Sequence, residues 1–316
     1  MRRIAFTSVS LAAVASPFTL VAACHKQPMG TGYVAEAGPI RRPADPLSRE
    51  QAERYVLALV NHDRKEQGLS ELTWDETAAA GGRRHAEDMA RHGYTAHWGT
   101  DGSVPEERYT AAGGTDLALE NAACFFDGAT RNVEAAPTYK AVDLEKIEAA
   151  FMAETPPNDG HKQNILKPRH TRFGVGLSMP IGVGQPCMSQ EFVDDYGDYE
   201  GLPHRARVGQ VVAVRGSLDA PLKFAAVGIA RIERAKPLTA QHLNSTYTYT
   251  IPKSFVLYTP PGFQTPKPVK VNGRKFAIDV PLTDQGQPGR YEISIWATFP
   301  GSSALAMVSL RVVDVE

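Results

Sequence analysis

The chain has 316 residues, with 34 Lys and Arg against 35 Asp and Glu, for a formal charge of −1. That length suits about two domains, and the balanced charge gives no field to draw the chain onto a phosphate backbone, so nucleic acid is excluded as a partner. Three cysteines, Cys24, Cys124 and Cys187, exclude a disulfide scaffold and leave room for one bridge.

Residues 1–23 run from Arg2 and Arg3 through an apolar stretch to small residues, the order of a secretory signal peptide rather than a spanning helix. Val21, Ala22, Ala23 and Cys24 resemble a bacterial lipobox, which implies lipidation at Cys24. The chain is therefore expected to be an exported, membrane-anchored lipoprotein of the cell envelope, in the outer membrane and periplasm or on the cell surface. Residues 24–47 are rich in Gly and Pro without apolar period and read as a flexible tether.

Ser48 and Gln51 form a capping-box pattern ahead of Ala52, Tyr55, Val56, Leu59 and Val60, one helical face that ends at Gly68. A second helix is predicted from Thr73 to Gly93, with Gly81 and Gly82 marking close packing against another element. Ser103, Pro105 and Glu106 signal a short third helix. The fourth, from about Asp143 to Glu154, carries Leu144, Ile147 and Phe151 on one stripe that Glu154 extends, so its carboxylate points inward and needs a partner. Pro156 and Pro157 stop this helix, and the polar turn after them leads to His161. RFGVGLSMP and CMSQEFVDDYG then read as short strand-like segments separated by Gly and Pro, so helices flank a small sheet. From residue 200 to 316 strand-like runs recur between turn residues, and Asn272-Gly273 signals a two-residue hairpin. This second domain reads as an all-β, immunoglobulin-like sandwich, open to an envelope protein partner and bearing no catalytic motif.

The polar residues within residues 48–199 are ordered as His97 in TAHWGTDG, Glu120 in LENAACF, Glu154, and His161 in NDGHKQNIL. With NHDRKEQGLSELTWDE and RRHAEDMARHGYTAHW ahead of them, they make the chain resemble the CAP superfamily of cysteine-rich secretory proteins, antigen 5 and pathogenesis-related proteins, also called the SCP domain. The resemblance implies an α+β chain, a three-layered α/β/α sandwich around an antiparallel sheet followed by the β domain. It also implies a cleft lined by His97, Glu120, Glu154 and His161. Leu119 stands where the family usually has glycine, and Phe151 where it often has tryptophan; neither change removes a ligating atom.

Two imidazoles and two carboxylates suit zinc or another divalent first-row ion. With all four bound the site is filled; with only the histidines bound, Glu120 or Glu154 is free to act as a base. Three readings follow: a module that binds a divalent metal, a small molecule or a lipid; a metal-dependent hydrolase of peptides or peptidoglycan with Glu120 or Glu154 catalytic; or a structural envelope protein acting through its β domain. His85 reads as structural, Trp98, Phe125 and Phe126 as wall or core, and His170 with Asp194 and Asp195 as solvated surface. Cys124 and Cys187 can pair in an oxidising compartment, with two unlinked thiols as the alternative.

Overall fold

A computed structural model describes residues 40–246 and 248–316, together with the backbone of β1 (Val21–Ala23), which pairs antiparallel with Thr248–Thr250. The expected lipidation site Cys24 and most of the signal peptide and tether lie outside the described residues. The last tether residues are docked rather than loose. Leu47 is buried and exchanges backbone hydrogen bonds with Tyr139 at 2.8 and 2.9 Å, while Arg42 pairs with Glu145.

Helix α1 (Arg49–Glu66) starts on the capping box: the Gln51 amide donates to Ser48 Oγ at 3.3 Å and the Ser48 amide to Gln51 Oε1 at 2.9 Å. Thr73 does not open the second helix. It lies in β2 (Thr73–Trp74), and Asp75 caps α2 (Glu76–His92) by accepting from the Ala78 amide at 2.8 Å. Gly93 closes α2 in the left-handed conformation, φ 62°. The third helix, α3 (Pro105–Ala111), begins on Pro105 with no side-chain cap, so Ser103 is not its cap. Strand β3 (Leu117–Ala123) carries Glu120, and α4 (Ala141–Met152) ends two residues before Glu154. The polar turn after Pro156 and Pro157 forms as expected, and His161 stands just beyond it in a short helix that the sequence did not signal, α5 (Gly160–Ile165).

With β4 (Arg172–Ser178) and β5 (Cys187–Asp194), the sheet order is β2-β4-β5-β3, antiparallel except for the β2–β4 pair. Strand β4 shows why there are three layers. Phe173, Val175 and Leu177 join the core beneath α1 and α4, whereas Gly174 and Gly176 face α2 on the other side. A Cβ on Gly82 would sit 2.9 Å from the Gly176 amide nitrogen, but one on Gly81 would make only ordinary contact at 3.6 Å. Of the two helix glycines, Gly82 is thus the one the close packing requires.

The second domain is a sandwich. Its strands are β6 (Gly197–Tyr199), β7 (Arg205–Ala206), β8 (Val211–Leu218), β9 (Lys223–Ile232), β10 (Thr248–Thr250), β11 (Val256–Tyr258), β12 (Lys270–Asn272), β13 (Lys275–Pro281), β14 (Gly289–Thr298) and β15 (Leu305–Val315). One sheet has the order β11-β9-β14-β15-β7 and the other β12-β13-β8-β6. Val214, Phe276 and Val280 from one sheet and Val227, Ile293 and Ile295 from the other share a core. The hairpin forms one residue later than Asn272-Gly273 suggests: Asn272 pairs with Lys275, so Gly273 and Arg274 make the turn and Gly273 takes φ 60°.

The two domains are joined along α3 and β3. Leu117 and Leu119 pack with Met307 and Leu310, and the Arg290 guanidinium donates to Glu107 at 2.5 Å and to the Gly102 carbonyl at 2.8 Å. Between β9 and β11 the chain leaves the sandwich, forms α6 (Ala240–Leu243) and β10, and crosses onto the N-terminal domain. No helix among the described residues is long and apolar enough to cross a membrane.

Candidate functional site

Glu120 lies on edge strand β3, and its side chain faces the α2 and α3 layer because it pairs across the sheet with Glu191. His97, in the segment after α2, brings Nδ1 to 2.9 Å from Glu120 Oε1. The other oxygen accepts from Arg108 Nη2 at 2.6 Å and Ser189 Oγ at 3.0 Å. Burial alone would raise the Glu120 carboxyl, yet Arg108, His85 and His97 hold it well below the usual carboxylate range. For Glu191, burial and the neighbouring Glu120 outweigh the attraction of Arg108 and push its carboxyl well above that range. The ionised carboxylate can only accept, so His97 donates to it from Nδ1. Nε2 of His97 is buried and has no hydrogen-bond partner.

The second pair lies on the other side of β3. The chain turns back after α4 so that Glu154 meets the start of α5: His161 Nδ1 lies 2.5 Å from Glu154 Oε1, and the His161 amide donates to Oε2 at 2.9 Å. Phe151 packs against the imidazole, the rings tilted by 31° with centroids 4.4 Å apart. Nε2 of His161 is likewise buried and unpartnered. Amides tie the two halves together: Asn164 Nδ2 donates to the Glu120 carbonyl at 3.2 Å, and Asn121 Nδ2 to the His161 carbonyl at 3.1 Å.

His97, Glu120, Glu154 and His161 thus form two His–Glu pairs flanking one edge strand. Among the described residues, no group of three or more His, Cys, Asp or Glu side chains is arranged to hold a metal ion. The carboxylates are spent on imidazole Nδ1, Arg108, Ser189 and a backbone amide, which leaves two Nε2 atoms as donors. Each imidazole, oriented by an outer carboxylate, is by itself a donor of the kind zinc-class ions take.

Residues 57–179 match the family described as the cysteine-rich secretory protein family, CAP. The chain carries a CAP domain. An uncharacterised protein, YkwD, of Bacillus subtilis (strain 168) is 30% identical over 131 residues, which are 42% of this chain and 44% of that protein. The chain spans less than half the length of the curated relative it matches. An extracellular protein containing an SCP domain from Bacillus anthracis str. Ames has 22% identity and a TM-score of 0.35, covering 46% of this chain and 43% of that one. A chitin binding domain from Burkholderia pseudomallei has 13% identity and a TM-score of 0.23, covering 36% of this chain and 57% of that one.

Around His97 and Glu120 the structure adds residues that sequence patterns pass over. Arg108 is buried beside Glu120, and nothing in its helix period marks it. His85 is structural and also part of the site's lining. Its Nε2 donates to the Ala96 carbonyl at 2.8 Å and stands 3.7 Å from Glu120 Oε1. Burial, with Arg108 close by, lowers it to about 4, so it is neutral at ordinary pH. Tyr249 of β10 reaches the same place, its ring 6.2 Å from that of His97 and edge-on to Trp98 at 5.0 Å. Cys124 and Cys187 form a disulfide with Cα atoms 4.3 Å apart, from the end of β3 to the start of β5. His170 and Asp194 are not surface groups: both are buried, with His170 Nδ1 and Asp194 Oδ1 2.6 Å apart. Asp195 is half-buried and pairs with Arg172. These acids lie at the end of β5 and fix the turn before β4, where Lys167 also binds Asp194.

Proposed function

We propose that the CAP domain is a binding module whose two histidines hold a divalent ion of the zinc class through Nε2, with Glu120 and Glu154 as orienting carboxylates. One observation supports this reading above the others. Both imidazoles are buried with Nδ1 committed to a glutamate and Nε2 unpartnered, a costly arrangement unless something outside the chain satisfies the lone pairs. Bound zinc would supply Lewis acidity to whatever small ligand completed its shell. Hydrolysis is the weaker reading because Glu120 and Glu154 each hold a histidine through Nδ1, and Glu120 is also ion-paired with Arg108, which favours an orienting role over a base. Export and lipid anchoring at Cys24 rest on the order of residues 1–24; radiolabelled fatty acid retained by the wild type and absent from Cys24→Ser is the expected result.

Calorimetry and metal content test the ion site. The full chain should take up one zinc, and a His97→Ala, His161→Ala double variant none. A wild-type chain that takes up no zinc would make both pairs purely structural.

A further inference from the structure

The segment 233–255, between β9 and β11, is longer than a sheet connection needs, and segments of that kind commonly carry function. It is fastened to the CAP domain at several points. The Leu238 amide donates to the Thr100 carbonyl at 2.8 Å, the Thr95 amide to Asn244 Oδ1 at 3.2 Å, and Asn244 Nδ2 to the Gly93 carbonyl at 3.0 Å. Leu243 is buried among Met89, Tyr94, Ala96 and Cys187. Gly102 leaves room for the segment, since a Cβ there would lie 2.5 Å from the Lys236 carbonyl oxygen. At its far end Tyr249 is buried between His97 and Trp98, with its hydroxyl donating to Glu106.

His97 is fully buried while its Nε2 has no partner. Nothing larger than an ion or a water can reach that atom unless a neighbour moves. Helix α2 and β3 belong to the packed sheet layers, and Arg108 is locked onto Glu120. The crossing segment is held instead by separate anchors: a few backbone and amide hydrogen bonds, Leu243 with Leu238 and Ala240 beside it, the Tyr249 hydroxyl on Glu106, and the pairing of β10 with β1.

We propose that the β domain completes the CAP cleft, with Tyr249 as the wall that sets ligand size at His97: in place, it admits a bare ion or a water-sized ligand and excludes extended lipid or peptide ligands. This deepens the reading of His97 as a ligand-facing group, but access to the imidazole can be read without any ligand.

The probe is diethyl pyrocarbonate, which acylates neutral imidazole, applied to the full chain with chelator present and followed histidine by histidine by peptide mass spectrometry. His204, exposed on the β domain, serves as the rate reference, and His170, buried elsewhere in the CAP domain, reports whether the fold is intact. In Tyr249→Ala, His97 should be labelled at least about tenfold faster than in the wild type, while His170 stays protected. Tyr249→Phe keeps the ring and should stay as slow as the wild type. Asn244→Ala loosens the fastening without touching the wall and should give an intermediate rate, which covers the case in which Tyr249→Ala fails to fold. Equal His97 labelling in wild type, Tyr249→Ala and Asn244→Ala would overturn the proposal, as would Tyr249→Phe labelling as fast as Tyr249→Ala. Absence of zinc uptake would leave these rates unaffected, so the two readings fail separately.

Discussion

Arg108 and Glu120 meet at 2.6 Å with both side chains buried, and this ion pair sets the charge on the His97 side of the cleft. Burial lowers the guanidinium's affinity for its proton, yet Glu120 and Glu191 more than offset this, so Arg108 remains charged and holds Glu120 ionised. Removing one partner strands the other charge in a poorly solvated site. Arg108→Met should therefore destabilise the chain by about 3–5 kcal/mol. Adding Glu120→Gln should recover part of that loss, and denaturant midpoints of the single and double variants will show whether it does.

Glu154 acts on both the imidazole and the amide of His161. In Glu154→Gln one oxygen becomes an NH2 group facing a donor. Zinc affinity should fall about 10–100-fold, with stability lowered by about 1–3 kcal/mol for the unsatisfied donor. Titration calorimetry beside a thermal melt separates the two effects.

Asp116, just before β3, is pushed up to about 7 by burial, with Asp195 and Asp75 adding to the shift. A carboxyl raised on folding keeps its proton in the native state after the unfolded chain has lost it. Its contribution is therefore harmless below about pH 4, and stability falls as pH climbs toward 7. Asp116→Asn abolishes that loss. It should stabilise the protein at pH 8 by up to about 4 kcal/mol and leave it unchanged at pH 4, as measured by urea unfolding at the two pH values.

The two helix glycines should respond oppositely to alanine. Gly81→Ala meets only ordinary contacts and should gain up to about 1 kcal/mol in helix propensity. Gly82→Ala drives a methyl against the backbone of β4 and β5 and should cost about 1–3 kcal/mol. Paired thermal melts decide the point.

The Cys124–Cys187 bridge closes a sequence separation of 63 residues, for which chain entropy predicts about 4 kcal/mol of stabilisation. A Cys124→Ser, Cys187→Ser variant should show a correspondingly lower guanidinium midpoint, and added reductant should bring the wild type to the same value.

The fold was legible where local chemistry is strong. The Ser48 capping box, the Leu144, Ile147 and Phe151 stripe and the close packing signalled by the helix glycines, at Gly82, each reappear in the structure. Boundaries failed where tertiary pairing overrode a local signal, as when β4 recruited Thr73 into β2 and left Asp75 to cap α2. The residues of the cleft were legible only as separate motifs. Their arrangement into two pairs depends on β3, whose sequence LALENAA shows no strand alternation because it is buried on both faces. Arg108 and Tyr249 could not be found by period at all, since each matters through a partner far away in the chain: Arg108 by way of Glu120, Tyr249 by way of a connection between distant strands. His170 and Asp194 were misread for the same reason, because two polar residues that satisfy each other in the interior look the same in sequence as two that face water.

Strand β3 is the outer strand of its sheet, and the β domain lies along its beginning: the Leu310 amide donates to the Asp116 carbonyl at 3.3 Å, Ser309 to the Thr115 carbonyl at 2.5 Å, and Met307 and Leu310 cover Leu117 and Leu119. An uncovered outer strand is a template for pairing with another molecule. The second domain therefore also guards against self-association. A chain cut after residue 199 would bare two leucines and part of a hydrogen-bonding edge, and would stick to copies of itself before any change in the cleft could be read.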